Sequence, residues 1–157
     1  MSAIRAKPER SAVKLDLTLQ KALESPGLPR KSEVRRWLLA ALAQDAQITV
    51  RLVGTAEGRK LNRAFRDREY ATNVLSFGYG ELGDSLAGDI VLCAPLVRRE
   101  ARAQGKTLSA HLAHLTVHGA LHLQGYDHQR PRARARMEAL EKTILAKLGY
   151  ADPYVTG

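Results

Sequence analysis

The stretch HGALHLQGYDH, residues 118–128, predicts a helix that carries two histidines and a turn that ends it. Its three histidines are separated by four and then six residues, and a glycine lies between the second and the third. In a helix that turns about 100° per residue, His118 and His122 lie one turn apart on the same face. Gly125 can adopt the positive φ angle that ends a helix and turns the chain back, which would bring His128 toward the same point. This spacing predicts a metal site with three imidazole ligands.

Three nitrogen ligands with a fourth position left open are typical of catalytic zinc sites, whereas structural sites are usually closed by four ligands. The spacing matches the zinc-protease signature His-Glu-x-x-His-x-x-Gly-x-x-His, except that Gly119 replaces the glutamate. In those proteases the glutamate takes a proton from the attacking water. Without it, phosphodiester cleavage is the better chemical fit, since a zinc ion can polarise a phosphoryl oxygen while an arginine neutralises phosphate charge. We expect one Zn²⁺ per chain.

Three further residues near the motif have alternative roles. His111 and His114 continue the histidine stripe on the same helix. His114 either pairs with His118 as an alternative ligand or orients a ligand from outside the first coordination shell. Asp127 either caps the turn, which is the usual role of such a residue, or orients a histidine or takes a proton.

Working outward, the hydrophobic pattern predicts strands that alternate irregularly with helices along the rest of the chain. The predicted strands are 12–20, 48–53, 73–77 and 89–93. The first predicted helix has about fifteen residues and follows the segment 25–31, the second is short and capped by Thr55, and the third begins at Pro95. The last two predicted helices are 108–124 and 131–148. The glycine-rich segment 78–88 reads as a hairpin loop. We therefore expect a single small α+β domain, with a mixed, mostly four-stranded sheet packed with about five helices, one of them a zinc-protease-like metal-site helix. Residues 1–11 are predicted to be a flexible N-terminal tail, and 12–157 a single catalytic metal-binding domain.

Composition narrows the class of protein. The 157 residues include 25 Lys and Arg against 16 Asp and Glu, a formal net charge of +9, which favours polyanionic partners such as nucleic acid. Cys93 is the single cysteine, so no disulfide can form within the chain, and a reducing compartment is expected. No apolar run approaches the roughly 20 residues of a membrane span, and the N-terminus does not read as a secretory signal. These features predict a cytoplasmic protein without a membrane partner.

The motif HGALHLQGYDH closely resembles the signature of the bacterial YbeY family of zinc-dependent endoribonucleases. The resemblance extends to LNRAFRDREYATNVLSF at 61–77, LAGDIVLCAP at 86–95, HLTVHG at 114–119 and LGYADPY at 148–154, and so covers most of the chain beyond residue 60. It implies that His118, His122 and His128 bind zinc, that the fold is a small α+β domain with a mixed sheet, and that the substrate is single-stranded RNA.

Spacing alone gives no priority among Arg63, Arg66 and Arg68, which lie in and just after a predicted helix. The family's functional arginine falls on Arg66, which the resemblance therefore implies to be a phosphate clamp. The resemblance further implies maturation of the 3′ end of small-subunit ribosomal RNA and ribosome quality control. Ribosomal proteins and an assembly GTPase are the implied partners.

Two alternative functions follow from the missing glutamate. One is a non-catalytic ribosome-assembly factor with a structural metal site and an RNA-binding surface. The other is a metalloprotease that uses a different carboxylate, Asp127 or Asp89, as its base.

A departure from the family pattern follows the motif, where alternate positions carry arginine: Arg130, Arg132, Arg134 and Arg136. These side chains either form a solvated helix start or add an RNA contact, and basic charge there opposes the helix dipole.

Overall fold

The computed structural model of the chain describes residues 12–66, 73–83, 85–127 and 129–155. Within those ranges the chain forms four strands and five helices in one mixed sheet with helices around it. The strands are β1 (Leu15–Lys21), β2 (Ala46–Val53), β3 (Val74–Leu82) and β4 (Ser85–Cys93). The helices are α1 (Lys31–Ala41), α2 (Thr55–Arg66), α3 (Ala94–Ala103), α4 (Leu108–Leu123) and α5 (Pro131–Leu148). The predicted fold class is confirmed. The predicted tail, residues 1–11, lies outside the described residues.

The sheet has the strand order β1-β2-β4-β3. β1 pairs with β2 and β2 with β4 in parallel, whereas β3 pairs antiparallel with β4. The parallel pairs follow from the helices that separate these strands in sequence, since parallel neighbours need a long crossover connection. The antiparallel pair follows from a hairpin.

That hairpin corrects one prediction, since the glycine-rich segment 78–88 is largely strand and not loop. β3 continues to Leu82 and β4 begins at Ser85, so only two residues join the strands. The pairing register shifts between Gly78 and Glu81, which indicates a β-bulge. Glycine is needed here for close packing as well as for turns. A Cβ on Gly88 would lie 2.8 Å from Leu123 Cδ2 and 2.9 Å from the Phe77 carbonyl oxygen. The segment resembles a loop in sequence because it is rich in glycine. In the structure, its glycines permit the close approach of α4 to the sheet.

Alternation along β4 divides the core between the two faces of the sheet. Ile90 and Leu92 pack into the main core with α1, α4 and α5, where Trp37 is fully buried. Val91 and Cys93 pack on the other face, with Leu61 of α2 against them. The single cysteine is buried and free, in agreement with the expected absence of a disulfide.

Helix α4 is the centre of the molecule. It packs against α1, α3 and α5 and against strands β3 and β4. Its high apolar content is therefore a consequence of burial on several sides, and the histidines it carries are held on a rigid element. In the described part of the chain, no helix is both long and apolar enough to cross a bilayer.

Candidate metal centre

The two ends of α4 are fixed by specific caps. At its start, the Thr107 side chain accepts a hydrogen bond from the Ala110 amide at 3.0 Å. At its end, Gly125 has a φ angle of +100°, and its amide donates to the His122 carbonyl at 3.0 Å. The Tyr126 amide donates to the Leu121 carbonyl at 3.1 Å, which completes a Schellman motif. The predicted left-handed glycine cap is confirmed, and it places the turn within three residues of His122.

His118 and His122 lie on successive turns of α4, both partly buried. His118 Nδ1 lies 2.6 Å from Oε2 of Glu141, a residue of α5. Because Nδ1 is occupied by this contact, Nε2 is the ring nitrogen that faces away from the carboxylate. His128 lies outside the described residues, and within them no three His, Cys, Asp or Glu side chains are arranged so that they could hold a metal ion. The predicted three-histidine set therefore stays a prediction.

Glu141 is the residue around which the described part of the site is organised. Its side chain is 0% exposed, and it accepts contacts from three groups. Oε2 faces His118 Nδ1, while Oε1 faces His114 Nε2 at 2.9 Å and accepts a hydrogen bond from the Tyr154 hydroxyl. Burial alone would raise the pKa of Glu141, but the hydrogen bonds from His114, His118 and Tyr154 lower it to about 2. The group is thus a buried carboxylate at neutral pH.

The Tyr154 hydroxyl is the counterpart of this charge. Burial, and next the hydrogen bond to Glu141, raise the pKa of Tyr154 well above its usual range, so the phenol stays protonated and donates. The Tyr154 ring also packs edge-on against His114, with ring centroids 5.3 Å apart. The C-terminal segment is therefore tied to the interior of the site.

Sequence reasoning missed Glu141 and Tyr154. A signal for Glu141 was present, since it stands four residues after Met137 and three before Ile144 in the buried stripe of α5. A charged residue on an apolar stripe is rarely buried without partners, and His114 and His118 were available as partners. Tyr154 left no comparable signal, because its contact depends on the path of the C-terminal segment.

The other predicted residues divide into two groups. The described ones are His114, which contacts Glu141, and Asp127, whose Oδ1 accepts a hydrogen bond from the Gln129 amide at 2.8 Å and so caps the turn. Arg66 is the last residue of α2, but its side chain lies outside the described part of the chain, as do all of Arg68 and His128. Arg63 is exposed on α2. All four arginines of the cluster at the start of α5 are exposed: Arg130, Arg132, Arg134 and Arg136.

Gly119 occupies the position of the protease glutamate, and it faces the sheet. A Cβ built there would lie 3.1 Å from both Ile90 Cγ2 and Ser76 Oγ. The neighbours would have to move even for a methyl group, so the position has no room for a glutamate side chain. Asp89, one of the alternative bases, accepts a hydrogen bond from the Tyr79 hydroxyl at 2.6 Å. The described geometry thus gives no support to the metalloprotease alternative.

His111 has a separate, structural environment. Its side chain is 4% exposed, and Nε2 lies 2.9 Å from Oε1 of Glu100 on α3. The same oxygen accepts a hydrogen bond from Asn73 Nδ2 at 3.1 Å. His111 therefore helps to connect α4, α3 and the start of β3.

His111 should make stability depend on pH. Burial, opposed by Glu100, lowers the pKa of His111 below its usual value of 6.5. Below pH 6.5 the unfolded chain therefore binds more protons at this residue than the folded protein does. The stabilising contribution is present above the unfolded pKa and is lost as pH falls toward the folded one.

The measurement compares the metal-free wild type with His111→Gln by denaturant unfolding at about pH 7.5 and about pH 5.5. The wild type should lose more free energy of unfolding than the variant on acidification. Equal losses in the two proteins would contradict the assignment.

Fold and site together define a class: a small α+β domain whose central helix carries a histidine pair, one member of it bound to a buried carboxylate. Comparison with known proteins identifies the family. The model of the family described as endoribonuclease YbeY matches residues 28–149. The chain belongs to the endoribonuclease YbeY family.

Individual relatives agree with this result. The chain is 55% identical over 152 residues to an endoribonuclease YbeY of Aromatoleum aromaticum, covering 95% of this chain and 98% of the relative. It is 51% identical over 144 residues to that of Thiobacillus denitrificans, covering 91% and 98% respectively. A solution structure of a Thermotoga maritima protein matches with a TM-score of 0.53 at 24% identity, over 88% of this chain and 99% of that one, and supports the fold alone.

Family membership settles two predictions. The resemblance to this family is confirmed, and so is the class of enzyme: the chain is an endoribonuclease, a hydrolase that acts on RNA. This outcome favours the enzyme over a non-catalytic assembly factor.

Proposed function

We propose that this endoribonuclease depends on zinc and cuts single-stranded RNA in the cytoplasm, in the maturation of the 3′ end of small-subunit ribosomal RNA. A role in ribosome quality control, with ribosomal proteins and an assembly GTPase as partners, belongs to the same proposal. The family resemblance supports the substrate and the partners, and the net charge of +9 supports a polyanionic substrate.

The observation that carries the zinc proposal is the placement of His118 and His122 one turn apart on α4, directly before the Gly125 turn. The donor set fits the ion, because imidazole is a usual zinc ligand and a carboxylate bound to the second ring nitrogen is its usual companion. His118 and His122, with His128 as the third, would hold the ion. When bound, zinc would supply a Lewis acid that polarises a phosphoryl oxygen.

The remaining steps belong to the chain's own residues. Arg66 would clamp a phosphate, since a guanidinium matches two phosphate oxygens at once and neutralises charge that develops on them. Glu141 is 0% exposed, so RNA does not reach its carboxylate and it is not the group that acts on the substrate. Gly119 has no acid-base group, so the proton acceptor of this reaction is a different group from that of the zinc proteases.

A cleavage assay tests the proposed substrate and the role of Arg66. A single-stranded fragment carrying the 3′ end of small-subunit ribosomal RNA should be cut, and the same sequence in a duplex should resist. Arg66→Ala should slow cleavage by about ten- to a hundredfold, as expected when a charge-assisted hydrogen bond of about 1.5–3 kcal/mol is lost. Arg63→Ala, an exposed arginine on the same helix, is the matched control and should have little effect. Equal cutting of duplex and single strand would contradict the proposed substrate, and equal effects of the two substitutions would contradict the role of Arg66.

A further inference from the structure

Glu141 is buried more completely than a charged residue usually is, and all of its partners belong to or surround the candidate metal centre. The side chain is 0% exposed, whereas its partners His114 and His118 are 12% and 21% exposed. Burial of a carboxylate is unfavourable unless the group is well hydrogen-bonded. The chain therefore retains a charged group whose burial is unfavourable, next to a predicted zinc ligand.

The two oxygens of Glu141 have different partners. Oε1 is held by His114 Nε2 and by the Tyr154 hydroxyl, whereas Oε2 faces His118 Nδ1 alone among the contacts described for it. Two donors thus fix one oxygen of the carboxylate. The other oxygen is aimed at the ligand histidine.

A carboxylate accepts hydrogen bonds and an imidazole has two distinct nitrogens, so this contact selects a tautomer. With Nδ1 donating its proton to Glu141, the lone pair of the neutral ring lies on Nε2. The contact also fixes the orientation of the ring and raises the basicity of the ligand. His114 has the reverse arrangement, since its Nε2 faces the carboxylate and is not directed to a metal.

We propose that Glu141 is a positioning residue for the metal centre, which binds His118 Nδ1 and thereby presents His118 Nε2 to the zinc ion. His114 and Tyr154 hold Glu141 in place and are not ligands. This inference rests on the proposed zinc-dependent function, and it assigns a role to four side chains on α4, α5 and the C-terminal segment.

Zinc affinity provides the first test, measured by competition with a chromophoric chelator. Glu141→Gln keeps the size of the side chain but removes the charge, and it should weaken zinc binding by about ten- to a hundredfold, the usual range for a lost companion of a histidine ligand. Glu138→Gln makes the same change three residues away on α5 and should alter the affinity by less than about twofold. Thermal unfolding of the metal-free variants separates a loss of affinity from a loss of fold.

Two outcomes distinguish the inference from the function on which it rests. If the wild type binds zinc and Glu141→Gln binds it within about twofold as tightly, the positioning role is wrong and the zinc proposal stands. If the wild type binds no zinc at the histidine set, the proposed zinc dependence fails and the positioning role fails with it.

A second measurement needs no variant, and it decides the matter if Glu141→Gln does not fold. Two-bond ¹H–¹⁵N correlation spectra of the metal-free wild type report which nitrogen of each neutral histidine carries the proton. His118 should be protonated on Nδ1 and His114 on Nε2. His118 protonated on Nε2 would overturn the proposal.

Discussion

His122→Ala is expected to remove zinc from the site and to slow RNA cleavage at least about a hundredfold, since the Lewis acid contributes several kcal/mol and each 1.36 kcal/mol is tenfold in rate. His122 is the cleaner choice of the two described histidines that we propose as ligands, because replacing His118 would also leave a Glu141 oxygen without its histidine. The measurements are metal content per chain and the initial rate on single-stranded RNA.

His111→Gln is the control for this experiment. His111 lies on the same helix, but it contacts Glu100 and not the metal centre. The variant should keep its zinc and cut RNA within about twofold of the wild-type rate, since residues outside the site contribute little to the activation free energy of RNA cleavage. A folded His122→Ala protein that cleaves at the wild-type rate would contradict the assignment of the site.

Gly119→Glu, which would restore the glutamate of the zinc-protease signature, is expected to destabilise the fold by more than about 4 kcal/mol. The new side chain would enter the contact between α4 and the sheet, where even a Cβ would lie 3.1 Å from Ile90 Cγ2 and from Ser76 Oγ. It would also bury a carboxylate beside Ile90 and Ser76, neither of which carries an opposite charge that could pair with it. Denaturant unfolding measures the effect.

Gly119→Ala serves as the matched control. A methyl group requires the neighbours to move only slightly, and the gain in helix propensity of about 1 kcal/mol offsets part of the cost of overpacking, which is typically about 1–3 kcal/mol. A net loss of about 1 kcal/mol is expected. Wild-type stability of Gly119→Glu, or peptide hydrolysis by that variant, would contradict the packing of this position.

Much of the fold was accessible from the sequence because local signals agreed with tertiary packing. Pro131 and Gly149 frame α5 at the predicted bounds, and Gly125 ends α4 as expected. Thr55 is the first residue of α2 and not the residue before it, a difference of one position that is usual at helix ends. The hairpin between β3 and β4 is present, but its loop was predicted too long because sequence does not distinguish a glycine needed for a turn from one needed for close approach of a helix to the sheet.

The candidate metal centre stays a prediction, but the placement of its two described histidines was accessible from the sequence for a different reason. The spacing of His118 and His122 on a helix fixes their relation without knowledge of the rest of the fold. Glu141 and Tyr154 reach the site from α5 and the C-terminal segment, and long-range packing decides which of their neighbours they meet. Sequence reasoning likewise recognised that Gly119 removes a base, but not that the sheet leaves no room for a glutamate side chain there.

The central proposal is that RNA cleavage by this chain requires zinc bound by His118, His122 and His128. The most direct measurement is a titration of zinc into metal-free wild-type protein, with the rate of single-stranded RNA cleavage followed at each addition. The account predicts a rate that starts near zero and rises to a plateau at one zinc ion per chain, with no such rise in His122→Ala. Full cleavage before any zinc is added, or the same rise in His122→Ala, would contradict it.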